Sequence, residues 1–178
     1  MAFTLLLGGA RSGKSALAVR MAQGWPGPVT YVATAEASDE DMARRIARHR
    51  AGRPQWPVVE EPVELARVLG ENPSGGLVVD CLNLWVANLL RRGTEEEALV
   101  SEAGAAAELA ASRAGPAVVV SNEVGLGVHP ATEQGRRFRD VLGRVNAVWA
   151  ATAERSFLVV AGRVVELGPA PLPGEPDR

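Results

Sequence analysis

The stretch GGARSGKS, residues 8–15, contains Lys14, the only lysine among the nineteen basic residues of the chain. Four of its positions fit the pattern G-x-x-x-x-G-K-[ST], which has meaning only between a strand and a helix. That context is present, because the apolar run at 3–8 predicts a buried strand and 14–24 predicts a helix. Glycines let the backbone N–H groups of such a loop point at phosphate oxygens, and the positive end of the helix adds to the attraction. The sequence therefore predicts a loop that binds the phosphates of a nucleoside triphosphate.

Lysine suits such a loop better than arginine does. Its compact charge on a flexible stem can reach between the β- and γ-phosphates, whereas the broad planar guanidinium does not fit inside a closed loop. The hydroxyl of Ser15 is predicted to bind Mg²⁺. Asp80, at the end of the apolar stretch GLVVD, is predicted to hold Mg²⁺ directly or through water. The alternative for Asp80 is that it only caps the helix that follows.

Strands and helices alternate along nearly the whole chain. Strands are predicted at 3–8, 29–34, 76–82 and 116–122, and in a hairpin at 156–167 that turns at Gly162. Helices are predicted at 14–24, 38–50, 62–70, 84–92, 94–113 and 136–154. This order predicts an α/β fold of the P-loop NTPase class, a RecA-like three-layer sandwich with a mainly parallel sheet and a C-terminal antiparallel hairpin. Residues 1–168 are predicted to form a single domain, and 169–178 a flexible proline-rich tail.

Composition narrows the class of protein. A net charge of −2 argues against a general nucleic-acid-binding protein. The single cysteine, Cys81, excludes an intrachain disulfide and is typical of a reducing cytosol. The apolar run at the N-terminus is too short for a signal peptide, and no segment approaches the roughly 18 apolar residues of a membrane span. We therefore expect a cytoplasmic protein without stable membrane insertion.

One of the two histidines, His49, lies in the arginine-rich segment RRIARHRAGR, residues 44–53. If a helix continues that far, Met42, Ile46 and His49 form one inward stripe. Spacing alone favours a partly buried histidine with solvated arginines around it. The alternative is a nucleophile, since a neutral imidazole can attack phosphorus and form a phosphoramidate. Nearby arginines would favour the neutral imidazole and would also neutralise the phosphates.

Five stretches occur together in a telling order: GGARSGKS at 8–15, VAT at 32–34, DEDMARRIARHRAGRPQW at 39–56, DCLNLWVANLL at 80–90 and SNEVGLGVHPATEQGRRFRDVLGRVN at 121–146. With them the chain resembles, up to about residue 167, the bifunctional adenosylcobinamide kinase/adenosylcobinamide-phosphate guanylyltransferase family of vitamin B12 synthesis. The phosphate loop alone is unspecific. The patterns R-I-x-x-H-R-x-x-R-P-x-x-W and N-E-V-G-x-G are much more specific.

The resemblance implies two reactions. Enzymes of this family phosphorylate the aminopropanol hydroxyl of adenosylcobinamide, then carry GMP from GTP on a histidine to that phosphate, which gives adenosyl-GDP-cobinamide. It implies ATP or GTP and Mg²⁺ in the reaction, His49 as the catalytic residue, and a homo-oligomer, typically a homotrimer. The nucleotide-binding residues that it implies are Gly8, Gly9, Ala10, Arg11, Ser12, Gly13, Lys14, Ser15, Thr34, Ala35, Glu36, Arg50, Ala51, Gly52, Arg53, Glu60 and Asp80.

Two acids keep alternatives open. Val58 stands where the family commonly has threonine, so either Glu60 or its neighbour Glu61 can be the acid that reads guanine. Glu123 either orients the attacking hydroxyl or a metal-bound water, or pairs with one of three arginines, Arg136, Arg137 and Arg139. Other functions also remain open. A P-loop kinase with one activity would not need His49, and a RecA-like nucleotide switch is disfavoured by the overall acidity.

Overall fold

The computed structural model describes residues 3–36, 40, 44 and 54–169 of the chain. Its strands are β1 Thr4–Leu7, β2 Val29–Ala33, β3 Val58–Glu60, β4 Gly76–Asp80, β5 Ala117–Val120, β6 Arg155–Val160 and β7 Arg163–Leu167. Its helices, within these described residues, are α1 Lys14–Gln23, α2 Leu65–Glu71, α3 Leu82–Arg91, α4 Glu96–Ser112 and α5 Glu133–Thr152.

All these strands form one sheet, in the order β3-β2-β4-β5-β1-β6-β7. Every neighbouring pair is parallel except β6 and β7, which form an antiparallel hairpin. The predicted α/β fold with a mainly parallel sheet and a C-terminal hairpin is therefore confirmed. In such sheets ligands bind beyond the carboxyl ends of the strands, so the loops after β1, β2, β4 and β5 mark the edge where a site belongs.

The sheet is buried between two helical layers. Successive residues of a strand point to opposite faces, and in β1 this sends Leu6 into a cluster with Ala18 and Ala22 of α1. Leu5 instead joins a larger cluster that contains Trp85 of α3 and residues of α2, α4 and α5. The layers are therefore α1, the sheet, and the remaining helices. Any polar side chain that shares its strand face with Leu6 faces the phosphate-loop helix.

Several elements differ from the prediction. Strand β3 was not predicted, because it has only three residues, follows Pro57 and is largely exposed. Helix α2 begins at Leu65, not at residue 62, and continues through Gly70 to Glu71. Helix α5 begins at Glu133, three residues before the prediction, because the hydroxyl of Thr132 accepts a hydrogen bond from a backbone N–H of the first turn.

The predicted start of the alanine-rich helix is also wrong. The spacing of Thr94 and Glu97 predicts a capping box, but α4 begins at Glu96, its N-cap is Glu95, and no side chain caps it. Glu97 instead binds Arg144 of α5. Packing between the two helices therefore directs this carboxylate. Of the helix predicted at 38–50, only Glu40 and Arg44 are described, and both are helical; the tail from residue 170 lies outside the described residues.

Candidate nucleotide-binding site

The predicted phosphate loop connects β1 to α1, and Lys14 is the first residue of that helix. Only 6% of Lys14 is exposed. Its Nζ donates hydrogen bonds to the carbonyl oxygens of Gly8, at 2.8 Å, and Gly9, at 2.7 Å, and contacts Oγ of Ser12 at 3.4 Å. The ammonium group therefore lies inside the curve of the loop, where the longer planar head of an arginine would not fit.

Two glycines give this loop its shape. Gly8 has a φ of +149°, and a Cβ on it would lie 2.3 Å from the carbonyl oxygen of Val159 in β6. Gly13, at the N-cap of α1, has a φ of +103°, in the left-handed region that favours glycine. Both positions thus exclude a side chain, one by close approach and the other by backbone conformation.

Two neighbouring segments hold the loop from either side. The N–H of Gly162, in the turn of the β6–β7 hairpin, donates to the carbonyl of Ser12 at 2.9 Å. The N–H of Glu123, after β5, donates to the carbonyl of Gly8 at 3.0 Å. The tip of the loop, at Ala10 and Arg11, is exposed. The anchored base and open tip suit a loop that wraps around a phosphate chain.

Asp80 ends β4 and is half-buried. The hydroxyl of Tyr31 in β2 donates a hydrogen bond to its Oδ2 at 2.5 Å. Burial lowers the pKa of Lys14, while the nearby Cys81 and Asp80 raise it. Burial, and then the charge of Asp80, raise the pKa of the Cys81 thiol. Asp80 shares its face of β4 with Val78, which packs in the cluster that contains α1, so Asp80 lies on the same side of the sheet as the phosphate-loop helix.

The segment after β2 contains three predicted nucleotide contacts in different surroundings. Thr34 is fully buried, and its Oγ1 donates to the carbonyl of Cys81 and accepts from the N–H of Cys81. Glu36 forms ion pairs with Arg91 and Arg92 at the end of α3. The carbonyl of Thr34 accepts a further hydrogen bond from the buried Asn88. The side chains of Thr34 and Glu36 thus join this segment to α3, and Ala35 lies half-buried between them.

The two candidate acids after β3 have very different environments. Glu60 is exposed at the end of β3, opposite Ala33 of β2. Glu61 is 8% exposed, and its Oε1 accepts from the N–H groups of Val63 and Glu64. Its other oxygen pairs with Arg67. Burial would raise the pKa of Glu61, but these hydrogen bonds lower it on balance. Glu61 therefore holds the turn that leads into α2, and Glu60 is the more exposed of the two acids.

Glu123 does not form the predicted arginine pair in the described structure. Its Oε1 accepts from the N–H of Gly125, within its own loop. The three arginines have other partners: Arg136 binds the carbonyls of Pro130 and Ala131, Arg137 binds Glu96, and Arg139 binds Asp140 and His129. The arginines thus attach α5 to the loop before it and to α4. The role of Glu123 in orienting a hydroxyl or water stays a prediction.

The catalytic residue predicted for guanylyl transfer cannot be placed. His49 and the nucleotide-binding residues predicted next to it, Arg50, Ala51, Gly52 and Arg53, lie outside the described residues. Glu36 is the last described residue before this region apart from two isolated positions. The structure therefore brings together the phosphate loop and Asp80, with Thr34 linked through Cys81.

The side-chain oxygens of Ser15 and Asp80 are suitable ligands for a Mg²⁺ ion that binds together with a nucleotide. Ser15 lies half-buried in the first turn of α1, and Asp80 lies at the carboxyl end of β4 on the face of the sheet that α1 covers. Across the described ranges, no three His, Cys, Asp or Glu side chains form a metal-binding group. Mg²⁺ commonly takes one or two protein oxygens, with phosphates and waters completing its shell. A site of Ser15 and Asp80 therefore needs the nucleotide to be complete.

Sequence reasoning missed Tyr31 as part of this site. In the apolar stretch VTYVAT it has the pattern of a core residue, and it is indeed only 3% exposed. The sequence signal that could have found it is the alternation of side chains along a strand. Tyr31 and Ala33 share a face of β2, and Ala33 is paired with Asp80. That register puts the phenol diagonally across from the carboxylate.

Fold and site together define a nucleotide-binding α/β protein with a phosphate loop after β1 and an acid after β4. The sequence profile of the family described as "Cobinamide kinase / cobinamide phosphate guanyltransferase" matches residues 4–167. The chain belongs to this family.

Two curated relatives match this chain over nearly their whole length. "Bifunctional adenosylcobalamin biosynthesis protein CobP" of Pseudomonas aeruginosa is 46% identical over 175 residues, which are 97% of this chain and 98% of that protein. "Bifunctional adenosylcobalamin biosynthesis protein CobU" of Escherichia coli K12 is 38% identical, over 92% of this chain and 98% of that protein. A solved structure from Pyrococcus horikoshii OT3 has a TM-score of 0.57 at 9% identity, over 93% of this chain and 85% of that chain, and shows the fold alone. Helices in the described ranges are all too short or too polar to cross a membrane.

Proposed function

We propose that this protein is a bifunctional enzyme of adenosylcobalamin biosynthesis. It phosphorylates adenosylcobinamide with ATP or GTP, then transfers GMP from GTP to the product through a histidine–GMP intermediate, which yields adenosyl-GDP-cobinamide. The observation that carries the proposal is Lys14, buried and hydrogen-bonded inside a complete phosphate loop, in a chain of this family. The proposal includes one domain over 1–168, a cytoplasmic location and a homotrimer.

The kinase step uses the described side chains. The ammonium of Lys14 is held by two carbonyl oxygens, and the phosphate oxygens of a bound nucleotide compete for it because they carry full negative charge. Ser15 and Asp80 would hold Mg²⁺, which neutralises charge on the β- and γ-phosphates. The substrate hydroxyl attacks the γ-phosphorus, the bond to the β–γ bridging oxygen breaks, and the nucleoside diphosphate leaves. Glu123, beside Gly8, is proposed to orient that hydroxyl.

The guanylyl step uses His49. Its ring nitrogen attacks the α-phosphorus of GTP, an N–P bond forms, and pyrophosphate leaves. A phosphate oxygen of adenosylcobinamide phosphate then attacks the same phosphorus, the N–P bond breaks, and the imidazole is regenerated. We propose that Glu60 reads the guanine, because its exposed carboxylate can accept from the N1–H and the N2 amino group. Glu61 is not proposed for this role, since one of its oxygens accepts from the N–H groups of Val63 and Glu64 and the other pairs with Arg67.

The corrinoid is too large to be enclosed by a domain of this size, so the acceptor site is proposed to be open. A shallow groove of about 520 Å³ runs along α5 beside the loop that follows β5. It is lined by Gly125, Arg139, Asp140, Gly143, Arg144 and Ala147. Its lining exposes more apolar than polar surface, which suits contact with the edge of a macrocycle, and a neighbouring subunit would complete the surface.

The test is transfer of label from GTP to the protein. Mg²⁺ and GTP labelled at the α-phosphate are incubated with the enzyme, which is then denatured. We expect label that survives alkali and is lost in mild acid, as a phosphoramidate is, and that is absent in His49→Asn. The matched control is His129→Asn, which removes the other histidine, an exposed ring bound by Arg139, and should keep the label.

Three outcomes separate the two activities. Label in wild type that disappears only in His49→Asn supports the guanylyl step. No label, together with phosphorylation of adenosylcobinamide that Lys14→Ala abolishes, would reduce the protein to a kinase with one activity. Neither label nor phosphorylation, with nucleotide still bound, would overturn the proposal.

A further inference from the structure

Tyr31 is the only tyrosine of the chain, and it lies in the middle of β2 with its ring among buried residues of the α1 face. Strand register places it opposite Val78 of β4, two residues before Asp80. Tyr31 and Asp80 therefore occupy the same face of neighbouring strands at diagonal positions. The phenolic hydroxyl reaches across and donates to Oδ2 of Asp80 at 2.5 Å.

This hydrogen bond restricts the rotation of the Asp80 carboxylate about its Cβ–Cγ bond. A hydrogen bond to an ionised acceptor is shorter and stronger than one between neutral groups. The donor is itself held rigidly, because the ring of Tyr31 is packed against α1 and is 3% exposed. A rigid donor fixes the orientation of its acceptor. Metal-binding carboxylates are commonly oriented in this way by a hydrogen bond from a residue that does not itself bind the metal.

We propose that Tyr31 is a positioning residue that holds the Asp80 carboxylate in the orientation that binds the nucleotide-associated divalent cation. The inference rests on the proposed function, in which Asp80 holds Mg²⁺. Tyr31 touches neither nucleotide nor substrate in this proposal and acts only through Asp80. Removal of the Tyr31 hydroxyl should therefore weaken metal binding and leave the phosphate loop intact.

The test measures metal affinity directly, with Mn²⁺ as the probe. Mn²⁺ is titrated by electron paramagnetic resonance into the wild-type enzyme saturated with a non-hydrolysable GTP analogue, and into Tyr31→Phe. We expect the Mn²⁺ dissociation constant to rise about tenfold in Tyr31→Phe, the scale of one lost charge-assisted hydrogen bond. Affinity for the nucleotide in EDTA should stay within about twofold, since the Lys14 contacts remain. Phosphorylation should recover at high Mg²⁺.

A matched control separates positioning from loss of stability. Ser121→Ala removes another buried hydroxyl at the same edge of the sheet, one that donates to Asn146 and not to Asp80. It should lower the melting temperature to a similar degree and leave Mn²⁺ affinity unchanged. Equal loss of Mn²⁺ affinity in both variants would overturn the proposal, because it would reflect loosening of the sheet edge.

Asp80→Asn distinguishes the metal-binding role of Asp80 from the positioning role of Tyr31. If Asp80→Asn leaves Mn²⁺ affinity intact, the metal role in the proposed function fails. If Asp80→Asn weakens Mn²⁺ binding and Tyr31→Phe does not, only the positioning role fails. In the double variant, Tyr31→Phe should add no further loss. An additional full tenfold loss there would show that Tyr31 acts independently of Asp80.

A measurement on the wild-type chain avoids any folding defect. Because Tyr31 is the only tyrosine, ring-labelled tyrosine gives a single set of resonances. Mg²⁺ added to the nucleotide complex should shift these resonances in wild type but not in Asp80→Asn. Resonances that stay still in both proteins would contradict the proposal.

Discussion

The side-chain oxygen of Thr34 forms two hydrogen bonds with the backbone of a single residue, Cys81. It donates to the Cys81 carbonyl at 2.7 Å and accepts from the Cys81 N–H at 2.8 Å. Since Cys81 directly follows Asp80, this contact joins the end of β2 to the start of the segment after β4. The resemblance to the family implies that Thr34 contacts nucleotide, and the geometry gives its hydroxyl a structural task.

Thr34→Val should therefore lower stability more than it lowers nucleotide affinity. Valine has nearly the same shape but leaves a buried N–H and a buried carbonyl without this partner, which costs about 2 kcal/mol of unfolding free energy. Urea unfolding measures that loss, and Thr34→Ser should restore most of it. A variant of unchanged stability with much weaker GTP binding would instead favour a direct contact between the hydroxyl and the nucleotide.

Glu60→Gln should change the preference between nucleotides. An amide cannot accept from both the N1–H and the N2 amino group of guanine as a carboxylate does, so the preference for GTP over ATP in the guanylyl step should fall about tenfold. Competition between the two nucleotides for the protein measures this ratio. Urea unfolding of the variant measures any change in stability separately from this change in preference. A preserved GTP preference would remove Glu60 from the guanine site.

Glu61→Gln should do the reverse and affect stability alone. At neutral pH it should cost about 2 kcal/mol, since a charged acceptor of two N–H groups and of Arg67 is lost. The pKa of Glu61 is lower in the folded state than in the unfolded chain. Its carboxylate therefore stabilises the fold fully at pH values above the ordinary glutamate pKa, and this stabilisation is lost as the pH falls through the lowered pKa of the folded state. Unfolding curves of variant and wild type should therefore converge in acid. A constant difference at every pH would contradict this assignment.

Lys14→Arg should abolish most phosphorylation although the charge is kept. The ammonium lies within 2.8 Å of two carbonyl oxygens inside the loop, and a guanidinium needs more space and a planar arrangement of acceptors. We expect kcat/KM to fall at least about a hundredfold, the scale of losing one well-placed electrostatic contact. Steady-state kinetics measures this loss. Near-normal activity in the variant would show that charge alone is sufficient at this position.

Gly8→Ala should be much more harmful than Gly9→Ala. A Cβ at Gly8 would meet the carbonyl of Val159 at 2.3 Å and would also adopt an unfavourable φ, whereas a Cβ at Gly9 meets nothing within 4 Å. We expect Gly8→Ala to lose about 3 kcal/mol of unfolding free energy and Gly9→Ala less than about 1 kcal/mol. Parallel thermal unfolding tests the pair. Equal losses would mean that the loop can move away from β6.

Features whose determinants lie close together in the sequence were predicted correctly, and features that depend on distant residues were not. The phosphate loop, the strand before it and the helix after it were predicted correctly because all their determinants lie within about 20 residues. The three-residue strand β3 was missed because its only partner is β2 and its own residues carry no alternating pattern. The start of α2 was wrong because residues 62–64 form a turn, held by the carboxylate of Glu61, before the helix begins at Leu65.

The sequence by itself determined the class of fold, the phosphate loop with its single lysine, and the family, since each depends on residue types at fixed spacings. Only the tertiary structure decided which of two adjacent glutamates is buried and holds the turn before α2 and which is exposed. It also decided that Tyr31 binds Asp80 and that Thr34 binds Cys81, pairs separated by 49 and 47 residues. The physical reason is that parallel strands bring distant residues together through register. Register depends on the packing of the whole sheet between its two helical layers.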